Sequence, residues 1–362
     1  MNYNEIRRKT RKIKVGSLTM GGDSPILIQS MTNTDTHNVA STISQIKALE
    51  VLGCDIARIT VPDIEAADTI FHIKEAGVKI PIVADIHFDY KVALRCAEIG
   101  VDKIRINPGN IGDEERVRAV CNACRSRNIP IRIGVNSGSL EKKILGKYGS
   151  PVPEALAESA IYNASLLERF DFYNTVISIK ASNPRNMILA NRIVAEKCDY
   201  PLHLGVTEAG SREVGSIKSA VGIGSLLCDG IGDTLRVSLT DDPAEEIGAA
   251  KKILNAVGIK GQCGLEIVSC PTCGRTKIDL ISLVHSFEAA VKNEGLSDMP
   301  LKVAIMGCVV NGPGEAREAD IGVAGGIGEA LLFKKGETIC KISEDKIVDT
   351  LINEIKKYKG SV

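Results

Sequence analysis

Tryptophan is absent from this chain, and the aromatic residues together make up only 4% of it. A surface for single-stranded nucleic acid stacks successive bases on aromatic rings, so that class of partner is disfavoured. Net charge is lacking as well: lysine plus arginine total 45, and aspartate plus glutamate total 45. No long-range field then draws the chain to nucleic acid or an anionic membrane, and any anion site must be a local cluster. No segment approaches the roughly 18 uninterrupted apolar residues of a membrane span, and residues 1–14 are basic and polar without the apolar core of a secretory signal. The expectation is a cytoplasmic protein with neither membrane nor nucleic acid as partner.

What the chain does have is length and apolar content. Its 362 residues, 44% hydrophobic and 25% charged, can bury sizeable cores, and the length suggests one large domain plus a smaller one. Eleven cysteines is an odd number. In a reducing compartment they read as thiols or metal ligands before they read as a disulfide framework.

Short apolar runs recur at 25–31, 56–61, 80–86, 103–106, 129–135, 175–179, 202–206 and 234–239. Between them, segments such as 41–52, 64–75, 90–98, 114–125 and 154–169 carry apolar residues at helical spacing with charged outer faces. Strand-helix alternation implies a parallel sheet. Eight such units over about 250 residues match a (β/α)₈ TIM barrel; an open doubly wound sheet is the alternative that periodicity alone leaves.

The strand ends carry polar pairs spaced i, i+2: Arg58/Thr60, Asp85/His87, Arg105/Asn107, Lys180/Ser182 and Arg236/Ser238, with Arg132 and Asn136 separated by Gly134. Period two puts each pair on one face, and in a parallel barrel the C-terminal strand ends are where substrates bind. A single pair is commonly a strand cap; recurrence around the sheet points to one polar, mostly cationic mouth. Arginine suits bidentate phosphate contacts and lysine acts as a point charge, so Arg58, Arg105, Arg132, Lys180 and Arg236 suggest a small, multiply anionic substrate such as a diphosphate. Asp85, His87 and Glu208 would supply acid/base or hydroxyl-binding groups. His203, inside the run 202–206, reads as a satisfied core residue.

Glycines at 258, 261 and 264 break the pattern, which divides the chain into a barrel, 1–260, and a small α+β domain, 261–362. The smaller part holds Cys270-Pro271-Thr272-Cys273-Gly274-Arg275 and, after a helix near 278–293 and a strand at 301–306, Cys308-Val309-Val310-Asn311-Gly312-Pro313-Gly314-Glu315. Further strands are expected near 321–323, 330–334 and 338–342 and a last helix at 344–357. A structural zinc site closes its shell with paired Cys or His, and a plain electron carrier uses four thiolates. Here Asn311 stands where a second pair would need its partner, so one position remains for a weaker oxygen ligand such as Glu315, or for substrate. Pro271 and Gly274 make a turn that aims the first two thiols at one centre. Cys121 and Cys124, by contrast, lie within a helix-like stretch with no Gly or Pro to open a knuckle. Cys54, Cys96, Cys198 and Cys228 sit in apolar contexts that suggest buried thiols, and Cys263 or Cys340 could complete a Cys₄ set. Three thiolates select iron-sulfur or zinc, and spacing decides between neither. The glycine run 322–328 lacks the Lys-Ser/Thr of a phosphate loop and reads as turn chemistry.

The pairing of Ser-Cys-Pro-Thr-Cys-Gly-Arg (269–275) with Met-Gly-Cys-Val-Val-Asn-Gly-Pro-Gly-Glu-Ala (306–316) resembles the 4-hydroxy-3-methylbut-2-enyl diphosphate synthase family of the methylerythritol phosphate isoprenoid pathway. The likeness extends through Ile-Gln-Ser-Met-Thr-Asn-Thr-Asp-Thr (28–36), Ala-Asp-Ile-His-Phe-Asp (84–89), Ile-Arg-Ile-Asn-Pro-Gly-Asn (104–110) and Gly-Val-Thr-Glu-Ala-Gly (205–210). The resemblance implies a TIM barrel with a C-terminal domain whose [4Fe–4S] cluster is held by Cys270, Cys273, Cys308 and Glu315. It also implies a head-to-tail homodimer in which one copy's cluster domain closes over its partner's barrel mouth. The implied reaction is two-electron reductive ring opening and dehydration of 2-C-methyl-D-erythritol 2,4-cyclodiphosphate, with flavodoxin or ferredoxin as electron donor. In that reading Arg105, Arg132, Lys180 and Ser238 hold the diphosphate, and Arg58, Asn107, Asn136 and Glu208 surround the carbon skeleton. Glu315 is a replaceable ligand, and Glu208 a proton donor or hydroxyl contact.

Two other readings of the residues stand beside it: a barrel hydrolase or transferase on a phosphorylated substrate with a structural zinc, and a non-enzymatic electron carrier whose polar strand ends are solvated caps.

Overall fold

Eight of the apolar runs become parallel strands of one sheet. After a hairpin of β1 (Ile13–Val15) and β2 (Leu18–Met20), the sheet strands are β3 (Leu27–Met31), β4 (Ile56–Thr60), β5 (Ile82–Asp85), β6 (Lys103–Ile106), β7 (Ile131–Asn136), β8 (Thr175–Lys180), β9 (His203–Leu204) and β10 (Thr234–Leu235). Their order is β8-β7-β6-β5-β4-β3-β10-β9. A parallel bridge between Ile177 and Leu202 joins the two ends, so the sheet is a barrel and the open alternative is excluded. The computed structural model describes residues 3–259, 264–297, 299–309 and 317–359, which fall into two units, Met1–Val257 and Gly258–Val362.

The strand sequences set which side chains enter the barrel. On β7 the alternation puts Ile131, Ile133 and Val135 on one face and Arg132, Gly134 and Asn136 on the other. The surrounding helices start where polar side chains cap them: Asp63 accepts from Ala66 N at 2.8 Å and Asp113 from Arg116 N at 3.0 Å, with proline in the first turn of the helices Pro153–Glu168, Pro184–Lys197 and Pro243–Ala256.

The β1–β2 hairpin is the element that the sequence reading passed over. It turns at Gly16, whose φ of 56° suits glycine, and buries Ile13, Val15 and Met20 against Leu27, Ile56, Val83 and Val176. Those four lie at or near the N-terminal ends of their strands. The hairpin therefore plugs the barrel end opposite the mouth, and each buried apolar side chain contributes roughly 1.5–3 kcal/mol.

The second unit is a five-stranded sheet of β11 (Glu266–Ser269), β12 (Lys302–Met306), β13 (Ile321–Gly325), β14 (Glu329–Lys334) and β15 (Glu337–Ser343) in chain order. The first three run parallel and the last two are antiparallel additions. Phe287 and Val291 of the helix Leu280–Asn293 and Leu351 and Ile355 of the helix Ile347–Lys359 join Val303, Ile305, Ile321 and Val323 in its core. Of the 322–328 glycines, Gly322 lies within β13, where it pairs with Ala304 and Phe333, Gly325 ends that strand, and Gly326 and Gly328 make the turn into β14.

Among the other cysteines, Cys54, Cys96, Cys121 and Cys124 are buried, but Cys198 is only half-buried and Cys228 is exposed. Cys228 ends its helix, so the apolar residues before it face inward while it does not. Cys340 is exposed on β15, and Cys263 lies outside the described residues. No described helix is long and apolar enough to cross a membrane.

Candidate functional site

The mouth of the barrel is organised around one carboxylate. Asp85, at the end of β5, takes Arg105 Nη1 at 3.0 Å and Arg58 Nε at 3.5 Å. Burial alone would raise its pKa; the guanidiniums of Arg58, Arg105 and Arg132 more than offset that and hold it down to about 2. Arg58, in turn, is pushed down to about 10 by burial and by Arg236 and Arg105, against the pull of Asp85. Arg105 also donates to Gly134 O at 3.5 Å, and its Nη2 stands 3.3 Å from the Asn136 amide turned to present its oxygen. Across the mouth Arg236 is committed to Glu246, with Nε and Nη2 at 3.0 and 2.9 Å from its two oxygens. Ser30 Oγ donates to the same carboxylate at 2.8 Å. The Met31 sulfur lies between two guanidiniums, 3.0 Å from Arg58 Nε and 3.4 Å from Arg236 Nη1.

Three further cations in this interior form no direct ion pair with a carboxylate among the described residues; Asp85 and Glu246 reach Arg132 and Lys180 only through space. Lys103, Arg132 and Lys180 are buried at 0%, 1% and 7% exposure. Among the described residues Arg132 has one long bond, Nη1 to Gln29 Oε1 at 3.4 Å, while its Nε and the Lys103 Nζ have no hydrogen-bond partner. Burial pushes all three pKa values well down, and the neighbouring guanidiniums add to it: Arg132 and Arg58 on Lys103, Arg58 and Arg105 on Arg132, Arg236 and Arg58 on Lys180, with Asp85 opposing it at Arg132 and Glu246 at Lys180. An arginine does not give up its proton in a protein, so for Arg132 this pressure is an unmet demand for an anion. Glycine makes the room: a β-carbon at Gly205 would stand 3.0 Å from Lys180 Nζ and 2.7 Å from Arg236 O.

Sequence reasoning named most of this cluster and missed its supports. Lys103, at the start of its apolar run, and Gln29 and Glu246 are polar and almost fully buried. A lysine flanking a strand reads as an exposed flank, so only its i−2 phase with Arg105 could have marked it. His203 is fully buried, as expected of a core residue, but neither ring nitrogen has a partner. Burial and the cations Arg132, Lys180, Lys103 and Arg58 push its pKa well down, and the donor and acceptor of the neutral ring are both unengaged among the described residues.

The remaining candidates lie at the rim. Asn107 is buried, and its side chain accepts from Gly109 N at 3.1 Å, so it also caps the turn Pro108–Ile111. Asn136 and Ser238 are half-buried, and His87 and Glu208 are exposed. Glu208 has φ of 51°, a left-handed backbone that a glutamate adopts only when its surroundings impose it.

In the second unit, β11 and β12 are neighbouring parallel strands with Ser269 opposite Ile305. Cys270 and Cys308 thus leave adjacent strand ends, and both are half-buried. Gly307 N donates to Cys270 Sγ at 3.2 Å. The loop between the thiols is folded onto this edge by Lys277 N to Gly307 O at 2.9 Å and by Cys273 N to Thr276 Oγ1 at 3.1 Å. Cys273 is exposed, and the Arg275 backbone N–H, the Arg275 side chain and Thr276 hold its thiol below the ordinary range. A thiol with a lowered pKa and a sulfur that accepts from backbone N–H suit metal ligation. Among the described residues no complete set of metal-binding side chains is assembled. Glu315 lies outside the described residues.

Comparison with known proteins covers both units. A family model described as "GcpE TIM-barrel domain" matches residues 10–251, and one described as "GcpE protein C-terminal domain" matches 266–357. The chain is 57% identical to "4-hydroxy-3-methylbut-2-en-1-yl diphosphate synthase (flavodoxin)" of Clostridium perfringens over 97% of this chain and 99% of the relative. It is 56% identical to the protein of the same name from Caldanaerobacter subterraneus over 98% of each. Among solved structures, dihydropteroate synthase from Stenotrophomonas maltophilia aligns with a TM-score of 0.51 at 14% identity, covering 70% of this chain and all of that one. That likeness carries the barrel fold alone.

Proposed function

The chain belongs to the GcpE family, and on that premise we propose that it converts 2-C-methyl-D-erythritol 2,4-cyclodiphosphate to 4-hydroxy-3-methylbut-2-enyl diphosphate. The reaction takes up two electrons and two protons, opens the ring at a carbon–oxygen bond and releases one water. The observation that carries this reading is the set of buried cations that form no ion pair among the described residues, Arg132, Lys180 and Lys103. A diphosphate supplies the missing negative charge, whereas a neutral substrate would leave it missing. The relatives of near-equal length carry a redox name, which disfavours the hydrolase and simple carrier alternatives.

In this reading Arg105, Arg132, Lys180 and Ser238 hold the diphosphate, while Arg58, Asn107 and Asn136 line the carbon skeleton. Asp85 keeps Arg58 and Arg105 in place and, with His87, meets substrate hydroxyls. Glu208, on its left-handed turn, gives a proton to the departing hydroxyl so that it leaves as water. Cys270, Cys273, Cys308 and Glu315 would hold a [4Fe–4S] cluster, which supplies single electrons and an iron with Lewis-acid character. The backbone donation to Cys270 and the lowered Cys273 thiol support that donor set. Flavodoxin is the proposed electron donor, with ferredoxin the second choice. The working form is a cytoplasmic head-to-tail homodimer in which each mouth is served by the partner copy's cluster.

The test is turnover of the cyclic diphosphate by anaerobically prepared protein with reduced flavodoxin. Arg132→Met and Lys180→Met should each remove most diphosphate binding. Unaltered binding in both would overturn the assignment of the mouth.

A further inference from the structure

Lys103 lies below the residues assigned to substrate. It is on β6 in phase with Arg105 and Asn107, and its Cα partner on β5 is Val83, one of the apolar residues on which the hairpin plug packs. Water is kept from this level by Ile13, Val15 and Met20. Among the described residues, the groups that bear on Lys103 are two cations, Arg58 on β4 and Arg132 on β7, and the neutral ring of His203 on β9. The buried carboxylates of the barrel are all engaged elsewhere. Asp85 is held by Arg58 and Arg105, Glu246 by Arg236 and Ser30, and Asp233 by Arg7 and Thr10. An amine placed there contributes nothing to an unliganded fold that a methionine would not contribute better.

We propose that Lys103 is a positioning residue for the anionic substrate, acting through space from beneath Arg132 and taking up a proton from solvent when the diphosphate binds. With the site unliganded, burial, Arg132 and Arg58 all favour the neutral amine. A bound diphosphate reverses the sign of the local field and favours the ammonium. Binding is then coupled to proton uptake, so affinity falls as pH rises through the range where the free site holds the neutral amine. Neighbouring groups enter this balance as well: Arg58 and Arg132 as fixed cations, Asp85 as their paired anion, His203 as a neutral group in the same field, and Lys180 as a second amine whose pKa is lowered in the same way and whose own proton uptake persists when Lys103 is replaced.

The inference rests on the diphosphate reading of the mouth, and one experiment separates the two. Calorimetric titration of the cluster-loaded, full-length protein with inorganic diphosphate, repeated in buffers of different ionisation enthalpy, measures both Kd and protons taken up. For wild type we expect net uptake that is smaller in Lys103→Met, with Kd weakened about ten- to hundredfold in the variant, the order for unit charges roughly 6–12 Å apart at an effective dielectric near 20. Lys103→Met should also raise Tm without ligand, since an unpartnered buried amine is removed, and in turnover it should raise KM while leaving kcat nearly unchanged. Lys103→Gln serves as the second variant should methionine pack poorly. Equal Kd and equal proton uptake in wild type and both variants would overturn the role of Lys103 alone. Absence of diphosphate binding in wild type would overturn the reading of the mouth and this inference with it.

Discussion

The guanidinium of Arg105 occupies the space that a side chain on Gly134 would need: a β-carbon at Gly134 would stand 2.6 Å from Arg105 Nη2. Here a missing side chain on one strand lets a cation from the next strand lie across it and still reach Asp85 at 3.0 Å. Gly134→Ala should push Arg105 off that carboxylate while leaving the barrel folded, because Gly134 has ordinary strand geometry. A lost charge-assisted bond of about 1.5–3 kcal/mol corresponds to a roughly 10- to 100-fold rise in KM for the cyclic diphosphate. Steady-state kinetics check this, and an unchanged KM would mean that Arg105 can hold substrate from another position.

Asp85 gives the stability of the barrel an acid-side pH dependence. Its folded pKa of about 2 lies below the ordinary aspartate value, so its contribution is fully present above about pH 5 and is lost as pH falls toward 2. Asp85→Asn should cost about 3 kcal/mol at neutral pH by leaving Arg58 and Arg105 without their carboxylate. The gap in unfolding free energy between wild type and variant should then close on acidification. Denaturant melts at several pH values measure it, and a gap that stays constant with pH would show that the arginines are held by something else.

How much of this could be read beforehand follows from where the signal lay. Arg58, Asp85, Arg105, Arg132, Lys180 and Arg236 sit at the ends of apolar runs with period-two spacing, so both the barrel and its cationic mouth were legible. The short strands β9 and β10, two residues each, still showed because their runs continue into Gly205 and Arg236. The β1–β2 plug did not, since three-residue strands within a basic leader carry little periodicity. Its signal was local: Ile13 and Val15, then Gly16-Ser17, then Leu18 and Met20, a two-residue hairpin pattern. Lys103 and Glu246 were illegible for a different reason. Their burial is decided by strands and helices far away in the chain, and residue type alone argued for solvent.

The thiols make a spectroscopic prediction. Anaerobically purified wild type should carry about four irons per chain with the broad visible absorption of an iron-sulfur protein, and Cys270→Ser, Cys273→Ser or Cys308→Ser should each lose most of both. Cys121→Ser and Cys124→Ser should keep them, because those thiols are buried within one helix. Stoichiometric zinc in place of iron would return the small domain to a structural role.

The shared-site dimer is open to complementation. A Lys180→Met chain has a defective mouth and an intact thiol set, and a Cys308→Ser chain has the reverse. If each mouth works with the partner copy's cluster, a mixed dimer has one functional site of its two, and equal random mixing should restore about a quarter of wild-type activity. Sites confined to single chains would stay inactive after mixing. Subunit exchange has to be verified in parallel by mass.

Glu208 joins two separable properties, a carboxylate at the rim and a backbone with φ of 51°. Glu208→Gln keeps the backbone and the size but removes the acid, and should lower kcat by a factor of about 10² to 10⁴ with little change in Tm. Glu208→Gly removes both, yet glycine adopts the left-handed region freely, so its Tm should rise by the equivalent of roughly 0.5–1 kcal/mol even as activity falls. Opposite movements of stability and activity at one residue are what a strained functional turn requires. A fall in Tm for Glu208→Gly would mean that the side chain, not the backbone, holds the turn, and a kcat near wild type for Glu208→Gln would move the proton donor to His87.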